Sequence, residues 1–527
     1  MEIFNRIRNN IITSLVNIYS LLMEVNMKKV LVVLSLTIIS AILLTGAVTA
    51  ALPGTGWWTF YQVQNIGTGD GTLTMQAYDS ASTTVYDSDS FVFSPGEALA
   101  YHPGLAPTYP GGDRIGFTSD LPGGFEGSVV LSSSVPVVAI AQLGNNTSGS
   151  VGAGGKASSF YQGVGAEFTD TQINFPTVKH NFWGQTTTFY VQAAGSEADV
   201  TITYTMGDSS TYTDTAVINA NQMVMFDPLA AGIPAGNTQA SLGSASVVST
   251  TGEIAGVVVE APHTGSPAAF VLAARGLTAA DTDTVLIAPT IKNDFYGGTT
   301  GFSVQNTGTA DANVVIELTV TNAEDPALIG NVYTDSEVIP AGGSTVFSPP
   351  RNNLGGMPAG TFAAAVVESV DDANHDPQLL AGTVNETNNM GKAVYAAFAK
   401  ASATTEVGLP MVKEMFFNNT TGVAVVNVGD APTKFYASYT DQNGVLREFE
   451  TVDTVAPGAA VSFFKVFTNP GGKFTGLTNF GDLEGTKNSV SISGDGVQPI
   501  VALAQESDQY SMDGVLDVKN YEGFIIP

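Results

Sequence analysis

Oxygen donors at alternating spacing are the first feature of this 527-residue chain with the makings of a ligand site. "DSDS" at 87–90, "DTDT" at 281–284 and "ESVDDANHD" at 368–376 suit calcium, with Asp281, Asp283, Asp371 and Asp372 as candidate ligands. No complete EF-hand or nonapeptide loop accompanies them, and the same acids read as solvated turn residues. Adjacent Trp57 and Trp58, followed by Phe60 and Tyr61, form an aromatic cluster that would stack on sugar rings if exposed. Neighbours in a strand face opposite ways, so one Trp of the pair is expected in a core or an interface. His102, His180, His263 and His375 are far apart, show no His-Glu-x-x-His pattern, and read as isolated surface residues. There is no G-x-S-x-G elbow, and "GGKAS" at 154–158 and "GGKF" at 471–474 lack the rest of a phosphate loop. Without cysteine there is no thiol catalysis and no disulfide framework. No enzyme is expected, and no cofactor other than calcium.

Any such residue has to be positioned by the elements around it, and these repeat four times. The segments "FYQVQNIGTGDGTLTMQAYD" from Phe60, "TFYVQAAGSEADVTITYTMGD" from Thr188, "GFSVQNTGTADANVVIELTVTN" from Gly301 and "GVAVVNVGDAPTKFYASYTD" from Gly422 each give a strand, a glycine turn and a second strand. In the second copy Val200, Ile202 and Tyr204 alternate with threonines; Val314, Ile316, Leu318 and Val320 alternate in the third. Period two with a hydroxyl-rich outer face predicts strands with one face buried and one in water. A turn-then-strand landmark ("FSPGEALAYHP", "INANQMVMFDP", "IPAGGSTVFSP", "VAPGAAVSFFK") and a closing strand pair follow in the same order each time. A spacing near 120 residues is too long for a propeller blade and fits a whole domain. The expected fold is all-β: four tandem antiparallel β-sandwich domains at 51–170, 171–284, 285–404 and 405–527, after a leader and signal helix at 1–50.

The blocks resemble the Ig-like modules of bacterial surface proteins, including the cell-adhesion-related bacterial domain group. The likeness rests on "VQNTGTADANVVIELTV" followed by "IPAGGSTVF" in the third copy. It implies an exported, modular protein of adhesive or structural use, and carries no catalytic residues.

Met27 opens "MKKVLVVLSLTIISAILLTGAVTA", a basic, then apolar, then small-residue pattern that predicts a signal peptide cut before Ala51. Directly behind it stands "LPGTG" at 52–56, the spelling of a sortase signal. A sortase signal needs an apolar tail and basic residues after it, so the motif is expected to open the first domain instead. Leu52-Pro53 then matches Phe175-Pro176, Ala288-Pro289 and Leu409-Pro410, which introduce the later copies. The connectors before those prolines have a C-terminal counterpart ending Ile526-Pro527. Each connector is either the last strand of the domain before it or the first of the domain after it. The second arrangement would leave an open edge in domain one and allow head-to-tail assembly by strand addition.

A net charge of −29 repels nucleic acid and anionic membrane. The expectation is therefore a secreted or cell-surface structural protein, a rod of repeats assembling into a layer, filament or adhesive stalk. The alternative is an extracellular glycan- or matrix-binding protein using loop tips or the Trp57/Trp58 cluster. Expected partners are a second copy of the chain or a surface polysaccharide, with no nucleic acid and no membrane after signal cleavage.

Overall fold

Alternating Thr and β-branched residues make strands wherever the pattern predicted them. The strand Ala198–Met206 buries Val200, Ile202 and Tyr204 completely and turns its threonines outward. The strand Ala312–Ala323 does the same with Val314, Ile316 and Leu318. The computed structural model describes residues 52, 56–103, 115–145, 157–264, 270–388, 391–416, 419–441, 443–478, 483–508 and 518–525. The signal-peptide segment lies outside the described residues. Among them the chain is nearly all β, with one α-turn at Pro349–Asn352 and a few 3-10 turns. No helix among the described residues is long and apolar enough to cross a membrane.

Among the described residues there are eight antiparallel sheets, two per repeat. One sheet keeps a single strand order in all four copies. In the second copy it runs Met223–Phe226, Gln185–Ala193, Ile254–Pro262, Leu272–Arg275. The other sheet of that copy runs Thr211–Ile218, Ala198–Met206, Leu242–Ser249, Gln172–Lys179. Ile173, Phe175, Phe189, Val191, Ile202 and Val247, drawn from both sheets, share one buried cluster.

The glycine turns that signalled the repeats are held by a buried asparagine. Asn306 is fully buried; its amide donates to the carbonyls of Ala310 (2.7 Å) and Ile339 (2.9 Å), and its oxygen accepts from Gly308 N–H (2.9 Å). Asn65 and Asn427 make the same three bonds in the first and fourth copies. Ala193 stands there in the second. The introducing prolines also have a structural role. Pro176, Pro289 and Pro410 each lie at a register shift in the first strand of their repeat, because proline cannot donate to the ladder. In the third and fourth copies a last-strand tyrosine hydroxyl satisfies the released backbone. Tyr395 Oη donates to Thr290 O (3.0 Å), and Tyr521 Oη donates to Met411 O.

The connectors belong to the repeat that precedes them. Ala157–Gln162 pairs with Val137–Asn145, Leu272–Arg275 with Ile254–Pro262, Gly391–Ala396 with Leu380–Asn388, and Val518–Glu522 with Ile500–Asp508. Phe398 and Ala399 then cross to the first strand of their own repeat, as Phe524 and Ile525 do in the last. Of the two arrangements open from the sequence, the chain adopts the first, in which each connector is the last strand of the repeat before it. The resemblance of Ile526-Pro527 to the introducing dipeptides falls outside the described residues.

The expected match of Leu52-Pro53 needs correction. Counting back along the ladder, Gly56 (φ +86°) takes the place of hairpin glycines Gly184 (+74°) and Gly297 (+78°). Leu52 packs on the buried cluster of Leu143, Val259, Val271 and Ala273, where the first repeat meets the second. The first-strand position, filled by Gln172–Lys179, Val285–Asn293 and Glu406–Glu414 in later copies, has no counterpart in the first among the described residues.

The expected rod is corrected too. The last strands of all four repeats pack on one another in cyclic order: Ala157–Gln162 touches Leu272–Arg275, which touches Gly391–Ala396, which touches Val518–Glu522, which touches Ala157–Gln162. A rod would leave the first and fourth repeats apart. Here Ile140 and Phe160 of the first join the buried cluster of the fourth, with Tyr521 and Ala504. Residues Leu52–Pro527 form one compact unit.

Candidate functional site

A lysine stands last or next to last in the first strand of the last three repeats, and its partner is a glutamate of the facing inner strand. The pairs Lys179–Glu260 (2.8 Å), Lys292–Glu386 (2.6 Å) and Lys413–Glu506 (2.9 Å) are equivalent and nearly buried. The third repeat's pair reaches into the fourth. Lys292 Nζ donates to Gln505 Oε1 (3.0 Å), and Gln505 Nε2 donates to Glu386 Oε2 (2.8 Å) and Asn520 Oδ1 (3.1 Å). The first repeat, which has no such strand among the described residues, has Leu143 at the glutamate position, packed in one cluster with Val259 of the second. Val259 is the counterpart of Gln505. One seam is thus apolar where another is ionic and amide-bonded. These groups are enclosed and neutralised, which suits them to holding repeats together.

The four calcium candidates are not brought together. Asp281 takes two bonds from Arg275 (2.5 and 2.6 Å) and one from Thr278 N–H (2.9 Å), so its oxygens face a guanidinium. Asp283 caps the Ala401 N–H (2.8 Å) and ties the first strand of its repeat to the turn at its end. Asp372 accepts from Asn374 N–H (2.7 Å), His375 N–H (3.0 Å) and Asn313 Nδ2 (2.7 Å); the Asn374 bond leads the causes holding its carboxyl below the usual range. Asp371 beside it is exposed. Among the described residues no group of three or more His, Asp or Glu side chains is placed to hold a metal ion.

Trp57 and Trp58 are half-buried. Trp57 packs in the first seam with Leu52 and Leu143. The Trp58 ring lies 5.3 Å from the His102 ring and covers Gly144, where a Cβ would fall 2.4 Å from the indole. Both rings are engaged in packing within the fold. The histidines are not all isolated surface residues either. His180 is buried, its Nδ1 2.6 Å from Ile233 O, and its ring lies 5.8 Å from that of His263. Burial, with His180 second, holds His263 below the ordinary imidazole range.

The two most exposed aromatics among the described residues sit elsewhere. First and second strands are joined by two-residue hairpins, Trp183-Gly184 in the second repeat and Tyr296-Gly297 in the third, closed by the pairs Phe182–Gln185 and Phe295–Gly298. Both central residues have positive φ (Trp183 +51°, Tyr296 +47°), the mark of the type I′ turn. Trp183 is 72% exposed and Tyr296 78%. Trp183 N–H donates to Asn237 Oδ1 (2.6 Å), and His263 N–H donates to the neighbouring Gly184 carbonyl (2.8 Å). Tyr296 N–H donates to Glu324 Oε1 (3.1 Å). The chain repeats the signal as "KHNFWG", "KNDFYG" and "KEMFFN"; Phe417 of the last lies outside the described residues.

No protein-family model and no curated protein matches the chain. A solved tetra-tandem repeat from the extending region of a large adhesion protein is 12% identical, over 88% of this chain and 94% of that one, with a TM-score of 0.10. A glycoside hydrolase family 32 structure from Bifidobacterium adolescentis is 10% identical, over 86% of this chain and 98% of that one, with a TM-score of 0.14. Scores this low carry no argument, and the resemblance to surface-protein modules stays generic.

Proposed function

We propose that this chain is an exported, non-catalytic protein of the cell surface or extracellular space. It consists of four Ig-like β-sandwiches, at 51–170, 171–284, 285–404 and 405–527, that serve together as a structural and adhesive scaffold. The observation that carries the proposal is the cyclic packing of the four last strands, each fixed in its own repeat and buried against its neighbours. Such seams favour a rigid body whose loops are held at set positions. Export is supported by the signal-like segment ending at Ala50, and a surface role by the acidic chain. The test is labelling of intact cells with a membrane-impermeant amine reagent, followed by sequencing of the mature N-terminus. The expected result is labelling without lysis and a chain beginning at Ala51. Labelling only after lysis contradicts the proposal.

A further inference from the structure

The hairpin tips present a flat ring to solvent at a site where the backbone prefers something else. Type I′ turns favour Asn-Gly, because an L-residue with a bulky side chain is strained at positive φ. Trp183 and Tyr296 take that position in two successive repeats, and the sequence repeats an aromatic there in the fourth. An exposed aromatic kept at a conformational cost, at equivalent places, points to a use outside the fold. The surroundings define the partner. Each ring meets the hairpin phenylalanine edge-on (Phe182–Trp183 centroids 6.3 Å, Phe295–Tyr296 4.7 Å), and a polar side chain holds each tip: Asn237 Oδ1 accepts from Trp183 N–H and Glu324 Oε1 from Tyr296 N–H. A protein interface core requires a continuous apolar patch, and an anionic membrane is repelled by a chain of charge −29. A neutral sugar ring has an apolar C–H face to lie on an aromatic plane and a rim of hydroxyls for flanking amide and carboxylate groups.

We propose that the Trp183 and Tyr296 hairpin tips are carbohydrate-binding sites for a neutral polysaccharide. Two weak sites on one rigid body gain by avidity what each lacks alone.

The experiment uses the full exported chain, with immobilised β-1,4-glucan, α-1,4-glucan and mannan as probes, plus neutral phosphatidylcholine vesicles. Trp183→Asn and Tyr296→Asn are the test variants, because each restores the preferred Asn-Gly turn and keeps or raises the melting temperature. Wild-type protein is expected to be retained on at least one polymer, with a shift of tryptophan emission from the exposed Trp183. Each single variant is expected to weaken binding about tenfold, and the double variant on the order of a hundredfold. Three results overturn the proposal. They are no retention on any polymer, equal retention of the folded double variant, and tip-dependent binding confined to vesicles.

Discussion

Removing Lys292 measures both the strength of a seam and whether the repeats unfold together. The Lys292 ammonium lies 2.6 Å from Glu386, whose side chain is 2% exposed, and also bonds Gln505 of the next repeat. At an effective dielectric near 20 the attraction is roughly 6 kcal/mol, offset by desolvation of both ions. Lys292→Met leaves the buried Glu386 carboxylate without its counter-ion, and such losses cost about 3–5 kcal/mol. The triple variant Lys292→Met, Glu386→Leu, Gln505→Val copies the apolar chemistry of Leu143 and Val259 at the first seam. It is expected within about 1 kcal/mol of wild type, because no charge remains to be solvated. Thermal unfolding then reports cooperativity. With an unfolding entropy of about 2.1 cal/mol/K per residue, roughly 480 residues melting as one lose about 3–5 °C in Lys292→Met. A block of about 120 residues melting alone loses about 12–20 °C in one resolved transition. Scanning calorimetry with urea denaturation separates these cases. A single variant that costs under 1 kcal/mol, or a triple variant as weak as the single, refutes the treatment of the pair as buried and stranded.

Glu414 in the fourth core is fully buried, and burial raises its carboxyl to about 8 despite the Val466 N–H bond. It is protonated in the fold while the unfolded chain releases its proton above about 4.5, so stability is full below that value and falls as pH rises towards 8. Glu414→Gln should therefore match wild type at pH 5 and exceed it by a few kcal/mol at pH 9 in urea titrations. Asn306→Ala leaves Ala310 and Ile339 carbonyls and the Gly308 N–H without their buried partner, and a loss of about 2–4 kcal/mol is expected from the denaturation midpoint. Phe160→Ala, at the seam between first and fourth repeats, should cost about 3–5 kcal/mol and increase protease sensitivity of both. Gly144→Ala forces a methyl to 2.4 Å from the Trp58 ring, with an expected loss of about 1–3 kcal/mol and a change in near-ultraviolet circular dichroism.

The strands were legible because alternation is local: Val200, Ile202 and Tyr204 declare their face without knowledge of a partner. The asparagine of the N-x-G turn was visible as a pattern, although nothing nearby in sequence shows that Asn306 reaches the Ile339 carbonyl. Closure of the fourth repeat on the first was not legible, because it depends on Phe160 meeting residues more than 300 positions away. The histidine pair was missed for the same reason, since strand pairing brings His180 and His263 to one end of a sheet pair. Trp57 and Trp58 drew attention by adjacency, but adjacency in a strand says nothing about burial. The better signal was the recurring Phe-aromatic pair in "KHNFWG" and "KNDFYG", whose second ring the turn turns outward.

Closure of the fourth repeat on the first is tested most directly by small-angle X-ray scattering from residues 51–527 in dilute solution. Four repeats packed in a cycle through their last strands predict a radius of gyration of about 23 Å for this length. Repeats strung end to end would give roughly twice that value, and such a result would contradict the closed packing from which the scaffold role is drawn.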